Sequence, residues 1–122
     1  GSPYYGIRSV YDGRYRYIVN LTPEATFQNV ETKSPLFKEW KSLAETDSHA
    51  KAMTTKYQHR PAIELYDVKN DPYCMKNLAE DAKQASTISR LDKELKRWMK
   101  DCGDEGQPTE MRAFEHMPGK RK

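Results

Sequence analysis

The chain has 122 residues, 36% hydrophobic and 32% charged, with a formal net charge of +3 and a mean hydropathy of −1.01; that fits one small domain whose core is thin or is completed by another surface. The near balance of charge, with the excess gathered at Lys120, Arg121 and Lys122, lacks the concentrated basic face of a nucleic-acid binder. No apolar run reaches the ~18 residues of a membrane span, and the opening residues lack signal-peptide order, although a chain that starts at Gly1-Ser2 rather than at methionine leaves secretion of its parent open.

Ile7 to Tyr11, Asp12-Gly13 and Arg14 to Leu21 predict a β-hairpin over residues 6–21. Asp-Gly suits a type I′ turn, in which both central residues take positive φ. Tyr15, Tyr17, Val19 and Leu21 share one face, and Arg14, Arg16 and Ile18 the other. That period of two is the mark of a half-buried antiparallel strand. Thr22-Pro23 breaks the strand and opens a connection that runs to residue 33. Asn20-Leu21-Thr22 is also a glycosylation sequon, a tripeptide that arises often by chance.

Ser34-Pro35 reads as a helix start, with serine as cap and proline in the first turn. Leu36, Phe37, Trp40, Leu43 and Ala44 follow at helical spacing. Asp47 or Ser48 caps a second short helix that runs through Met53 towards Tyr57, giving a helical insertion over 34–58. A third strand is expected at 62–68, with Ile63, Leu65 and Asp67 on one face and Glu64, Tyr66 and Val68 on the other. Apolar residues on both faces imply an interior strand or a helix over the second face. Asn70-Asp71-Pro72 predicts a turn into a short helix capped by Asp71. Ile88, Leu91, Leu95, Trp98 and Met99 form one apolar stripe on a helix over 86–101. Lys96, Arg97 and Lys100 suit its C-terminal dipole, and Gly103 its stop. Residues 105–122 are a polar tail, expected to lie along a surface. The class is α+β: a small antiparallel sheet with the long helix across one face, and a helical insertion.

Chemistry-bearing motifs are scarce. His49, His59 and His116 belong to no nucleophile–base or metal motif, and Cys74 and Cys102 lack partners at zinc spacing; the two could pair, but they make no disulfide framework, and two free thiols are the simpler reading. Asp67, Asn70 and Asp71 do not follow the calcium-loop pattern; strand-end turn chemistry accounts for them. Arg8 and Arg60 stand out, because arginine grips sulfate or carboxylate through paired N–H donors. A solvated or salt-bridged arginine is the simpler reading of each.

Gly6-Ile7-Arg8-Ser9-Val10 with Asp12-Gly13-Arg14-Tyr15-Arg16-Tyr17-Ile18 resembles the first hairpin of the small C-terminal subdomain of type I sulfatases. Arg60 to Asp67, then Asn70-Asp71-Pro72 and Asn77-Leu78-Ala79, resemble that subdomain's signature. The helix ending Arg97-Trp98-Met99 is the expected next element, so the likeness covers about residues 5–105. The insertion, with Asn20-Leu21, Phe37 and Tyr57, is most similar to the heparan N-sulfatase branch and its bacterial relatives. The resemblance implies a large upstream α/β domain as partner, a fourth strand in the family's sheet, and a sulfated carbohydrate as substrate. It also implies a formylglycine nucleophile and a calcium ion in that upstream domain, and a periplasmic, secreted or lysosomal parent. No catalytic or metal residue is expected in this segment, since neither Cys74 nor Cys102 opens a C-x-P-x-R motif. Its expected share is a wall of the substrate pocket, with Arg8 and Arg60 as candidates and His59 a weaker third. The family usually has Glu where Cys74 stands, so the short helix after Asp71 is expected to lose about 0.5–1 kcal/mol of capping.

Two other readings compete. A stand-alone binder of polyanions or sulfated glycans would need its cations on one continuous face. A single-stranded nucleic-acid binder would use the tyrosines of the second strand for stacking, residues that the pattern assigns to the core.

Overall fold

The computed structural model describes residues 5–26 and 31–112. Their elements are β1 (Ile7–Tyr11), β2 (Tyr15–Asn20), α1 (Pro35–Leu43), α2 (Ser48–Gln58), β3 (Ile63–Asp67), α3 (Ala85–Asp101) and α4 (Gln107–Met111). The strands make one antiparallel sheet in the order β1-β2-β3, so the α+β class holds, with three strands among the described residues.

The alternation in β2 builds the core. Tyr17 stands opposite Val10 on one side and Leu65 on the other. The apolar stripe of α3 crosses that face, and Tyr17, Leu65, Leu91 and Leu95 close into one cluster, each at most 2% exposed. Each such side chain contributes about 1.5–3 kcal/mol by leaving water. The Tyr17 hydroxyl donates to Asp92 at 2.9 Å, which satisfies its one polar atom. Trp98, expected in the stripe, stays 58% exposed beside Val10 and Tyr11. Among the described residues strand β1 is the sheet's edge there, and none beyond it covers the indole.

Helix ends follow their capping residues. Ser34 Oγ accepts the Phe37 N–H at 3.2 Å, and Asp47, rather than Ser48, caps α2 by accepting the Ala50 N–H at 3.0 Å. At the end of α3, Gly103 takes φ 72°. Its N–H bonds the Lys100 carbonyl and the Asp104 N–H reaches back to the Met99 carbonyl. This is the six-to-one and five-to-two pairing of a left-handed helix stop, and it fixes the direction in which Asp104 leaves the helix.

Several expectations give way to local chemistry. The hairpin turn is not type I′: Gly13 has φ 99° but Asp12 does not have positive φ. Asp12 flanks the turn, and its Oδ1 accepts the N–H groups of Arg14 at 2.9 Å and Tyr15 at 2.7 Å. Asp71 starts no helix. Its two carboxylate oxygens accept the N–H groups of Met75 and Lys76, and Cys74 between them turns left-handed at φ 52°. The weakened cap expected at Cys74 therefore has no helix to act on.

Strand β3 is not interior; it is the second edge, and a helix covers its polar face. Its outer backbone is covered as well, since Asn77 Oδ1 accepts the Leu65 N–H at 2.9 Å and the Leu65 carbonyl accepts from Leu78 N–H at 2.8 Å. A side-chain amide thus takes the place of a neighbouring strand. In the insertion Phe37 is buried against Tyr57, with ring centres 5.5 Å apart, while Leu36, Trp40 and Leu43 are exposed. The tail is ordered into α4 as far as Met111, and residues 113–122, with His116, lie outside the described residues.

Candidate functional site

The alternation that sends Tyr17 and Leu65 into the core sends Arg16, Ile18, Glu64 and Tyr66 to the opposite face. Helix α2 lies over that face without closing on it. Met53, Lys56 and Tyr57 of α2, together with Arg60 and the loop at Tyr73–Met75, complete a cleft of about 280 Å³.

Glu64 is only 6% exposed at the cleft floor. Its Oε1 accepts the Tyr66 hydroxyl at 2.6 Å, and its Oε2 accepts from Asn20 Nδ2 at 2.8 Å. Neutral donors therefore hold this buried carboxylate, as a buried charge requires. Burial first, and then the Glu64 carboxylate, pushes the Tyr66 hydroxyl well above its ordinary range. Asn20 Nδ2 also donates to the Pro61 carbonyl at 2.6 Å, and Asn20 is 2% exposed. A sequon asparagine so buried and bonded offers no amide to a glycan.

The cations sit above this floor. Lys56 Nζ donates to the Cys74 carbonyl and lies 5.1 Å from the Tyr66 ring centre. The Arg16 guanidinium lies over Tyr11, and that of Arg60 over Tyr57, its Nε donating to the Tyr57 carbonyl at 3.4 Å. Arg16 and Lys56 make no salt bridge among the described residues. The loop opposite is braced: Asp67 accepts from Asn70 and Arg14, which holds its carboxyl at about 2, and Asp71 is depressed by its two backbone N–H partners. Tyr73 projects from this loop, 86% exposed.

Of the three residues that the sequence singles out, one lines this cleft. Arg60 does. His59 is exposed at the C-terminal end of α2, outside the lining residues. Arg8 stands opposite Val19, on the face that α3 covers. Its Nη2 donates to Asp104 at 3.1 Å, its Nη1 meets Glu110 at 2.6 Å, and its Nη1 also bonds the Ile7 carbonyl. Asp104 chiefly raises the Arg8 guanidinium, and Arg8 in turn lowers Asp104. Arg8 and Arg60 thus serve opposite faces of the sheet. Sequence reasoning missed Arg16, Lys56 and Tyr73; only the polar register of β2 hinted at the first.

Cys74 and Cys102 are free thiols, and no group of three His, Cys, Asp or Glu among the described residues is placed to hold a metal. His49 and His59 lie outside the cleft.

No family model matches the chain. It is similar to two ulvan-active sulfatases of Formosa agariphila. One is 33% identical over 108 residues, covering 85% of this chain; the other is 32% identical over 97 residues, covering 80%. In each case the chain spans 18% of the relative's length. Neither relative bears the heparan N-sulfatase name, so that branch gains no support from them. Over the matched residues the chain is sulfatase-related in sequence.

Proposed function

We propose that this chain is the C-terminal portion of a sulfatase that hydrolyses sulfate from a sulfated polysaccharide, with the ulvan-like class ahead of heparan. The sequence relation to ulvan-active sulfatases supports the reaction class and the polymer. The observation that carries this segment's share is the cleft in which Arg60 stands above a floor whose one carboxylate is already satisfied. Such a site attracts sulfate oxygens without having to displace a resident acid. The nucleophile, its calcium ion and the α/β domain that carries them belong to the remainder of the enzyme, which acts outside the cytoplasm. Arg60 contacts substrate, with His59 at the rim. Arg8 serves indirectly, by fixing β1 against the end of α3.

Sulfate release by the whole enzyme tests this reading. Ulvan oligosaccharides are expected to be desulfated faster than heparan ones, and Arg60→Ala to raise KM about tenfold or more. Residues 1–122 alone are expected to leave a chromogenic aryl sulfate intact. Turnover by the segment alone sinks the assignment of the machinery to the remainder, and a whole enzyme inert towards every sulfate ester sinks the sulfatase reading.

A further inference from the structure

We propose that Arg16, Lys56 and Tyr73 form a subsite for one acidic sugar residue, whose sulfate or carboxylate is held between the two cations while its apolar ring face rests on Tyr73. The inference rests on the sulfated-carbohydrate reading above, and adds a recognition element to it that is separate from the sulfate being cleaved.

Three observations carry it. The first is charge. Arg16 and Lys56 line one cleft and make no salt bridge among the described residues, whereas Arg8, Arg14, Arg90, Lys96, Arg97 and Arg112 each do. Glu64, the acid of the same cleft, is engaged by Tyr66 and Asn20. With Arg16, Lys56 and Arg60 set against the one acid Glu64, the formal charge of the cleft lining is positive, the complement of an anion.

The second is Tyr73. A large aromatic that is 86% exposed buries almost nothing of its own, so packing does not explain its position. The loop that presents it is held at both ends. Asp71 clamps two N–H groups beyond it, and the next residue, Cys74, is a non-glycine in the left-handed region at φ 52°. Left-handed backbone at such a residue is strained and persists where the surroundings enforce it. An aromatic face stacks on the C–H face of a sugar while leaving the ring's hydroxyls wet.

The third is preorganisation. Lys56 Nζ bonds the Cys74 carbonyl, so the cation on α2 and the loop bearing Tyr73 are one unit before any ligand arrives. Binding then orders little that is not already ordered. The cleft, at about 280 Å³, lies at the small end of ligand pockets, which start near ~300 Å³, and suits one ring.

Calorimetric titration of the whole enzyme tests the subsite, using three oligosaccharides of one length: sulfated, desulfated but carrying uronate, and neutral. An acidic oligosaccharide is expected to bind in a salt-sensitive manner and the neutral one not to; the tighter of the two acids names the group recognised. Arg16→Ala and Tyr73→Ala are each expected to weaken acidic binding about tenfold or more. Both side chains are exposed, so their melting temperatures should match the parent's. Tyr73→Ala, which removes no cation from the cleft, should also hydrolyse a small aryl sulfate, which has no second acidic residue, at the parent's kcat. Equal binding of the neutral sugar, or acidic binding indifferent to both substitutions, overturns the subsite and leaves the sulfatase reading standing. Binding that depends on these residues in an enzyme that releases no sulfate keeps the subsite and sinks the sulfatase reading.

Discussion

The two faces of the three-stranded sheet solve different problems. At the centre of the α3 face carbon meets carbon: Tyr17 and Leu65 are sealed under Leu91 and Leu95, and the Tyr17 hydroxyl is bonded to Asp92. On the α2 face, Glu64 and Tyr66 are nearly as deeply buried, yet what covers them is a cleft lined by cations and tyrosines. Equal burial thus has two meanings. One face is held by area removed from water, the other by a bonded polar floor that leaves room above it.

Substitutions should separate the two regimes. Leu91→Ala is expected to cost about 2–5 kcal/mol in urea unfolding, whereas Ile18→Ala, half-buried on the cleft face, should cost about 1 kcal/mol. Equal losses would erase the distinction between the faces. Next, Glu64→Ala should cost about 1–3 kcal/mol, because the buried Tyr66 hydroxyl loses its acceptor. Glu64→Gln keeps an acceptor and should cost less; a reversed order would mean that the floor is not held as described.

Alkali probes both faces together. Burial first, and a carboxylate partner second, raise both Tyr17 and Tyr66 above the ordinary 10.0. A raised pKa favours the neutral phenol, so the stability tied to it is complete below pH 10 and is lost as pH climbs beyond that. Tyr17→Phe or Tyr66→Phe should each flatten part of that fall in melting temperature, and two flat profiles would show that neither phenol is coupled to folding.

Acid probes the paired carboxylates, the one at the hairpin tip among them. Asp12 is lowered from 3.8 to about 2, by Arg90 first and then by the N–H groups of Tyr15 and Arg14. A depressed pKa gives stability that is present above pH 4 and lost as pH falls towards 2. The pair is largely exposed, so Asp12→Asn should change acid unfolding by under about 1 kcal/mol. The smallest effect is expected at Trp40, which is 47% exposed on α1. Trp40→Ser should alter stability by less than about 0.5 kcal/mol; a larger loss would mean that the insertion is packed more tightly than its exposure shows.

The same division explains what could be read from the sequence. The α3 stripe and the alternation of β2 were legible because burial of carbon leaves a period in the chain. Ser34, Asp47 and Gly103 were legible because capping is local. The cleft left no period. Nothing in the sequence joins Arg16 of β2, Lys56 of α2 and Tyr73 of the following loop, and only the approach of α2 to the sheet brings them together. The simpler reading of Arg8 as a salt-bridged arginine holds, but its partners, Asp104 and Glu110, could not be named because they lie far along the chain. Asp71 misled because its carboxylate can satisfy more distant N–H groups than those of a first helical turn.

The grip of Arg8 on Asp104 joins positions 96 residues apart. During synthesis, Arg8 emerges long before the residue that neutralises it, and Tyr17 long before the helix that shields it. Until β3 has appeared, β1 and β2 have only each other, and a lone hairpin is at best marginally stable in water. Closure across so long a loop is also slow, because its entropy cost is met before its contacts form. This segment therefore matures at its end: its first strand is settled by one of its last residues, and its nascent hairpin waits longest for cover.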